Sequence, residues 1–193
     1  GKIKWQTSYG RVWKASHPES RCTPTVEGRM VYVSSGYGDV ACIDGIAGNI
    51  IWQVKASEEN KGTYGPWGIA ESLIIDGDKL FFTTGGRETT TIALDKNTGE
   101  TIWKTESLSD PASYISPVMI EYPGLKLLVN ITPRYVFGVD VSTGTIIWKL
   151  HHPEALGKKD MDDDGQIMCV TPLFYNDKLY ITGGYDHGAV MID

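Results

Sequence analysis

One stretch, Ala93-Leu94-Asp95-Lys96-Asn97-Thr98-Gly99-Glu100-Thr101-Ile102-Trp103, constrains this chain more than any other, because it returns. Cys42-Ile43-Asp44 leads through Gly48 to Trp52, and Gly138-Val139-Asp140 leads through Gly144 to Trp148, with Gly always four positions after Asp and Trp four after Gly. The ends of the chain hold the halves: Gly1 to Trp5 is the second half alone, and Met191-Ile192-Asp193 is the first. The tryptophans at 5, 52, 103 and 148 stand 47, 51 and 45 residues apart, a period at which self-similarity means propeller blades or solenoid turns.

What fills the period decides between them. Residues 70–106 read as Leu73-Ile74-Ile75, an Asp76-Gly77 turn, Leu80 to Thr84, Gly85-Gly86, Thr89 to Leu94, the Asp95 to Gly99 turn, and Thr101-Ile102-Trp103. These are four short β-rich runs with turn chemistry between them. Glu27-Gly28, Pro123-Gly124 and Asn176-Asp177 mark the first turn elsewhere, and no window keeps a helical period. The pattern predicts an all-β chain, a β-propeller of four-stranded antiparallel blades. The blades fall at about 22–56, 70–106, 115–150 and 170–193, with a lone outer strand at 1–7. Asp44, Asp95 and Asp140 open the third turn, where a carboxylate takes backbone N–H groups, and Gly48, Gly99 and Gly144 close it at positive φ. Trp5, Trp52, Trp103 and Trp148 are expected in equivalent places on outer strands, each packing on a neighbouring blade's turn and donating its indole N–H.

Composition narrows the class. With 193 residues and 41% hydrophobic content the chain can bury a sizeable core. A net charge of -6 and the lack of a Lys/Arg cluster argue against nucleic acid. No apolar run nears the roughly 18–20 residues of a membrane span, and no signal peptide opens this chain. Cys22, Cys42 and Cys169 form no C-x-x-C pair, so small buried residues are the favoured reading over a zinc site or a disulfide framework.

Antiparallel order puts the connection leaving each outer strand and the loop between second and third strands on one side. That face gathers 8–21, 57–69, 107–114 and 151–169, carrying Trp13, His17, Tyr64, Trp67, Tyr114, Arg134, His151, His152 and, in a shorter loop, His187. Asp160, Asp162, Asp164 and Gln166, around Gly165, match a D-x-D-x-D-G calcium loop, although Thr171 stands where an EF-hand has its closing Glu; the other reading is a solvated acidic turn. Glu71 falls in the column of Cys22, Ile115 and Val170, at the inner strand's start near the axis, where a carboxylate could line a pocket, bind an ion or bond a neighbouring blade. The Thr23, Ser72, Ser116 and Thr171 column reads as structural. Adjacent His151 and His152 point to opposite sides of an extended chain and make a poor metal pair. Trp67 and Tyr64 could stack a sugar or a planar quinone, or simply pack between blades.

The A-x-D-x-x-x-G-x-x-x-W pattern, complete as Ala93, Asp95, Gly99 and Trp103, resembles the tryptophan-docking motif of the PQQ-like (pyrroloquinoline quinone) propeller repeat family, with small Cys42 and Gly138 replacing Ala in two copies. Trp67 to Ser72 and Gly85-Gly86 are most similar to its uncharacterised secreted and BamB-like members. The resemblance implies a ring of seven or eight blades, of which this chain holds four blades' worth. Such a chain is part of one ring, or half of a two-chain ring closed by a homodimer. It implies a periplasmic or extracellular place and three functions: a non-catalytic propeller offering its loop face to a protein or glycan, a PQQ- and Ca2+-dependent dehydrogenase with Glu71 and Trp67 at the cofactor, or a structural or sensor ectodomain. The first is favoured. The vicinal Cys-Cys expected beside the quinone does not occur, and no complete catalytic set is visible.

Overall fold

Each repeat is held by its turns. Asp44 Oδ1 accepts the N–H groups of Ile46 and Ala47 at 2.9 and 3.1 Å, Asp95 Oδ1 those of Asn97 and Thr98 at 2.7 and 3.1 Å, and Asp140 Oδ1 that of Ser142 at 2.8 Å. Gly48, Gly99 and Gly144 follow at φ of 78°, 78° and 76°, donating back to the Asp carbonyls. In the last repeat Asn176 and Asp177 both take positive φ, as a two-residue hairpin loop demands, and their side chains tolerate it.

The computed structural model describes residues 1–18, 20–155, 167–184 and 188–193. The first sheet runs β1 (Thr25–Glu27), β2 (Met30–Ser34), β3 (Val40–Asp44) and β4 (Ile50–Val54). The second holds β5 (Ile74–Asp76), β6 (Lys79–Thr83), β7 (Thr91–Asp95) and β8 (Thr101–Lys104). The third holds β9 (Val118–Tyr122), β10 (Leu125–Ile131), β11 (Tyr135–Asp140) and β12 (Ile146–His151), and the fourth β13 (Leu173–Tyr175), β14 (Lys178–Thr182) and β15 (Ala189–Ile192). All are antiparallel meanders, and the only helices among the described residues are single turns, α1 (Ala56–Glu59) and α2 (His152–Ala155). Among the described residues no helix is long and apolar enough to cross a membrane.

The core lies between the sheets. Leu80 and Phe82 of β6 pack toward the first sheet with Tyr32, Val40 and Cys42, while Phe81, between them in sequence, packs toward the third with Leu128, Phe137 and Val139. Side chains alternate along a strand. A blade covered on both faces must therefore be apolar at every step, which is why the second and third strands read as continuous hydrophobic runs.

The outer strands carry a repeated irregularity. Cys42 pairs Trp52 but Ile43 pairs Ile50; Ala93 pairs Trp103 but Leu94 pairs Thr101; Gly138 pairs Trp148 but Val139 pairs Ile146. The residue left over is isoleucine each time, Ile51, Ile102 or Ile147, and each is exposed. Such a bulge twists the strand locally and re-aims the next side chain, here the tryptophan. Trp5, Trp52 and Trp103 donate Nε1–H to the carbonyls of Gly45, Lys96 and Val141 at 2.9, 2.9 and 3.1 Å, in each case the residue just after the next blade's motif Asp. Their rings lie so close to Gly48, Gly99 and Gly144 that a Cβ there would stand 2.7 Å from a ring atom.

Two expectations need correction. Residues 1–7 form no strand, because the described residues offer no ladder partner beside them; Trp5 docks all the same, helped by a bond from Thr7 Oγ1 to the Gly48 carbonyl. Trp148 keeps the ladder register of Trp52 and Trp103 but meets no turn among the described residues. Its ring lies instead in a cleft of 270 Å3 with Ile120, Leu127, Phe174, Leu179 and Ile192. Trp5, Trp52 and Trp103 are thus docked alike, whereas Trp148 shares the ladder register of Trp52 and Trp103 and packs against the fourth sheet without a turn to bond among the described residues.

Candidate functional site

The long connections and the loops between second and third strands do meet on one face, and ion pairs join them. Arg11, after Trp5, grips Asp39 in the β2–β3 loop; Lys61, after β4, reaches Glu88 in the β6–β7 loop at 2.5 Å; Asp110, after β8, holds Arg134 in the β10–β11 loop. The third pair has its charges exchanged, so no column of like residues announces the pattern in the sequence. In the first and third the arginine uses its own backbone N–H as well as its guanidinium: Arg11 N and Nη2 donate to Asp39 at 2.6 Å, and Arg134 N and Nε donate to Asp110 at 2.8 Å. Both carboxylates are buried.

Burial alone would raise the Asp39 carboxyl, but the bonds from Arg11 more than offset it and hold it below its ordinary range. Changing Arg11 to methionine leaves that carboxylate buried without its cation. With Arg11 partly exposed, the expected loss at pH 7 is about 2 kcal/mol, read from urea unfolding midpoints. A depressed folded pKa gives stability that is present above the unfolded value and lost as pH falls through the folded one, so the Arg11→Met deficit shrinks in acid. A deficit unchanged at pH 3 would show that the ion pair is not its source.

Aromatic rings fill the spaces between these junctions. Trp13 lies 4.8 Å from Tyr37 and 5.8 Å from Tyr64, the Arg11 guanidinium sits 5.3 Å over Tyr37, and Trp67 lies 5.4 Å from Tyr114. Backbone bonds stitch the loops beneath them, Ile69 N to Gly36 O at 2.9 Å and Ala112 N to Thr63 O at 2.7 Å. The result is a surface on which Tyr37, Tyr64, Trp67 and Tyr114 are half-buried around a buried Trp13. His151 lies against the Tyr135 ring and His152 is buried with Nε2 3.2 Å from the Thr132 carbonyl, so the two diverge. Cys22, Cys42 and Cys169 are free thiols.

Near the axis the hydroxyl column forms a chain from blade to blade. Thr23 N donates to Ser72 Oγ at 2.9 Å, Ser72 N to Ser116 Oγ at 2.9 Å, and Ser116 N to Thr171 Oγ1 at 3.3 Å. One step back, Glu71 is buried, with Oε2 accepting Thr83 N–H at 2.9 Å. In the first blade Cys22 Sγ takes Ser34 N–H at 3.3 Å in the same way. Asn130 Nδ2 donates to Thr83 Oγ1 at 2.6 Å while its Oδ1 takes Ile131 N–H, and Ser34 Oγ donates to the Glu71 carbonyl. Glu71 thus sits where three blades meet, and its Oε1 is buried without a partner. Burial pushes its pKa up to about 8, only partly opposed by the Thr83 bonds.

These donors do not suit the Ca2+ and quinone that the resemblance implies. Ca2+ takes six to eight oxygens, whereas Glu71 offers one unengaged oxygen, Asn130 Oδ1 is already occupied, and among the described residues no three His, Cys, Asp or Glu side chains gather to hold a metal. Trp67 is turned onto Tyr114, with ring centroids 5.4 Å apart. The described residues around Glu71 and Trp67 do not fit the pair. Asp160, Asp162, Asp164 and Gln166 lie outside the described residues.

A family model described as "Outer membrane protein assembly factor BamB" matches residues 1–193. The chain is 26% identical over 204 residues to a quinoprotein ethanol dehydrogenase of Pseudomonas aeruginosa, covering 96% of this chain and 32% of that protein. It is 24% identical over 161 residues to BamB of Shewanella oneidensis, covering 83% and 34%. The chain spans about a third of the length of these relatives. The crystal structure of BamB from Moraxella catarrhalis superposes with a TM-score of 0.56 at 17% identity, over 89% of this chain and 45% of that one, a likeness of fold.

Proposed function

We propose, from the premise that this chain belongs to the family described as outer membrane protein assembly factor BamB, that its propeller carries out no chemistry and presents the loop face to a protein in the cell envelope or outside the cell. The carrying observation is that face: three successive blade junctions bridged by ion pairs, two of them on buried carboxylates, with Tyr37, Tyr64 and the Trp67–Tyr114 pair half-exposed between them. Half-exposed aromatics on a rigid frame bind at low entropic cost. A glycan stacking on the same rings is the neighbouring form of this reading.

Site-specific photo-crosslinking in cells tests it. A benzophenone amino acid placed at Tyr37 or Trp67 of the full-length protein is expected to give discrete adducts, and one at Ile46, Asn97 or Ser142 on the opposite face is not. Adducts confined to those turns, or none on the loop face, would reject the reading. Protease digestion of the adduct separates a protein from a glycan.

A dehydrogenase is the second reading, favoured by 26% identity across 96% of this chain to a quinoprotein ethanol dehydrogenase. Its check is direct. Saturable quenching of tryptophan fluorescence by PQQ with Ca2+, abolished in Glu71→Gln, would support it.

A further inference from the structure

We infer that a groove between the second and third blades, on the face of the motif turns opposite the loop face, binds a small zwitterion of the α-amino-acid class, its ammonium held by Asp76 and Glu121 and its carboxylate by Lys79. The groove comes from a difference in strand length. Met30 pairs Asp44 and Lys79 pairs Asp95, and in both blades the first hairpin turns at once, with Glu27 opposite Met30 and Asp76 opposite Lys79. In the third blade Leu127 pairs Asp140, yet β9 and β10 run on to Tyr122 and Leu125. The extra tip walls a space of 380 Å3 together with Asp76 and Lys79 of the second blade and Asp140 and Ser142 of the third, a size suited to a small ligand. Glu121, Tyr122, Lys126 and Ser142 are exposed, so a small molecule reaches it from solvent.

The charges on its walls are unevenly engaged. Lys126 Nζ bridges Asp76 Oδ1 at 2.6 Å and Glu121 Oε1 at 2.8 Å, across the blade junction. Two carboxylates thus share one ammonium, which leaves one negative charge over and the second oxygen of each without a bond among the described residues. Asp140 is already engaged, its Oδ1 taking the N–H and the hydroxyl of Ser142. Lys79 is the opposite case: its ion pair among the described residues is with its neighbour Asp78 at 2.9 Å, whose side chain is 63% exposed. A pair made that far into water is worth little, and Lys79 can exchange it for a ligand's carboxylate at small cost.

This pattern selects the ligand. Asp76 and Lys79 are ladder partners, about 5 Å apart at Cα with side chains on one face of the sheet, so the two charges they answer must lie close together. An α-amino acid carries its ammonium and carboxylate on one carbon. A dication would be repelled by Lys126, and a dianion by Asp76, Glu121 and Asp140. An inorganic cation finds no three His, Cys, Asp or Glu side chains gathered to hold it among the described residues. The Tyr122 ring, 39% exposed and lining the same space, offers a surface to an apolar side chain. What fits is an apolar or aromatic amino acid in its zwitterionic form.

Saturation-transfer NMR and calorimetry on the full-length protein provide the test, with L-phenylalanine as the probe. It is expected to bind, and binding should weaken about 10-fold or more for its amide, which lacks the carboxylate, and for N-acetyl-L-phenylalanine, which lacks the ammonium. Asp76→Asn and Lys79→Gln should each cost a similar factor, while Lys178→Gln, which breaks an exposed pair with Asp193 in the fourth blade, stays within about 2-fold. Circular dichroism confirms that each variant folds. Glycine should bind more weakly than L-phenylalanine, and Tyr122→Ala should remove that difference. Equal binding of the amide would reduce the groove to a cation site and overturn the zwitterion. No binding of L-phenylalanine or L-leucine at about 10 mM, or binding indifferent to both Asp76→Asn and Lys79→Gln, would overturn the site itself. The loop face is tested separately: a ligand this small leaves no discrete protein adduct at Ser142, and failure of the crosslinks at Tyr37 and Trp67 would leave the groove untouched.

Discussion

Truncating Trp52 to alanine is expected to destabilise the protein by about 3–5 kcal/mol, close to the limit for a single core substitution. The ring is 9% exposed and packs among Tyr32, Cys42 and Leu94 of two blades, so its loss opens a cavity at their junction. It also removes the bond from Nε1 to the Lys96 carbonyl and the face that covers Gly99. Trp52→Phe keeps most of the apolar contact and loses the bond, for about 1–2 kcal/mol. Trp148→Ala should cost clearly less than Trp52→Ala, since its indole covers no turn among the described residues and borders a cleft. Urea unfolding of the three variants decides it. Equal losses at Trp52 and Trp148 would show that apolar packing, and not the bond to the next blade's turn, is what each tryptophan contributes.

The second large effect is a pH dependence that Glu71 imposes. Its pKa is about 8 in the folded protein, chiefly because burial disfavours the carboxylate, against an ordinary 4.5. A raised folded pKa means the contribution to stability is whole below the unfolded value and lost as pH rises through the folded one. Between pH 4.5 and 8 the unfolded chain releases its proton while the folded one keeps it, and stability falls by up to 1.36 kcal/mol per pH unit, about 5 kcal/mol in all. Glu71→Gln has no proton to lose. It should match the native protein near pH 5 and exceed it by several kcal/mol at pH 9. Depressed carboxyls such as Asp39 act only toward acid and leave this window clear. Parallel stability curves for the two proteins from pH 5 to 9 would mean that Glu71 is solvated or paired, and that the inner wall is looser than described.

The parts of the fold that were legible share one property: they depend on residues near one another in sequence. The Asp44, Asp95 and Asp140 turns, the glycines four residues on and the hairpins between them are short-range chemistry, and the repeat shows each three times. Even the loop face followed, because antiparallel order alone decides which loops lie together. The bulge at Ile51, Ile102 and Ile147 did not follow, although a branched residue before every complete-motif tryptophan was its trace.

The site was less legible. Glu71 could be placed near the axis by aligning repeats, but whether it faced an ion or a backbone N–H depended on Thr83, twelve residues away across a sheet. The Arg11–Asp39 and Arg134–Asp110 pairs escaped because a junction needs opposite charges in a given place and either partner can supply either sign. Arg21 gave no signal at all. A charged residue ahead of a strand looks solvated until the Ser16 and His17 carbonyls are seen taking its guanidinium.

By itself, then, the sequence determined the unit: four strands, their turns, and a tryptophan set to leave each blade for the next. It could do so because a repeated local pattern leaves few ways to pair and no helical alternative. Tertiary structure decided which polar groups end without a partner, Glu71 Oε1 and Arg21 Nη1 among them. That is a property of everything packed around an atom, and desolvation is summed over neighbours from several blades that no stretch of chain contains.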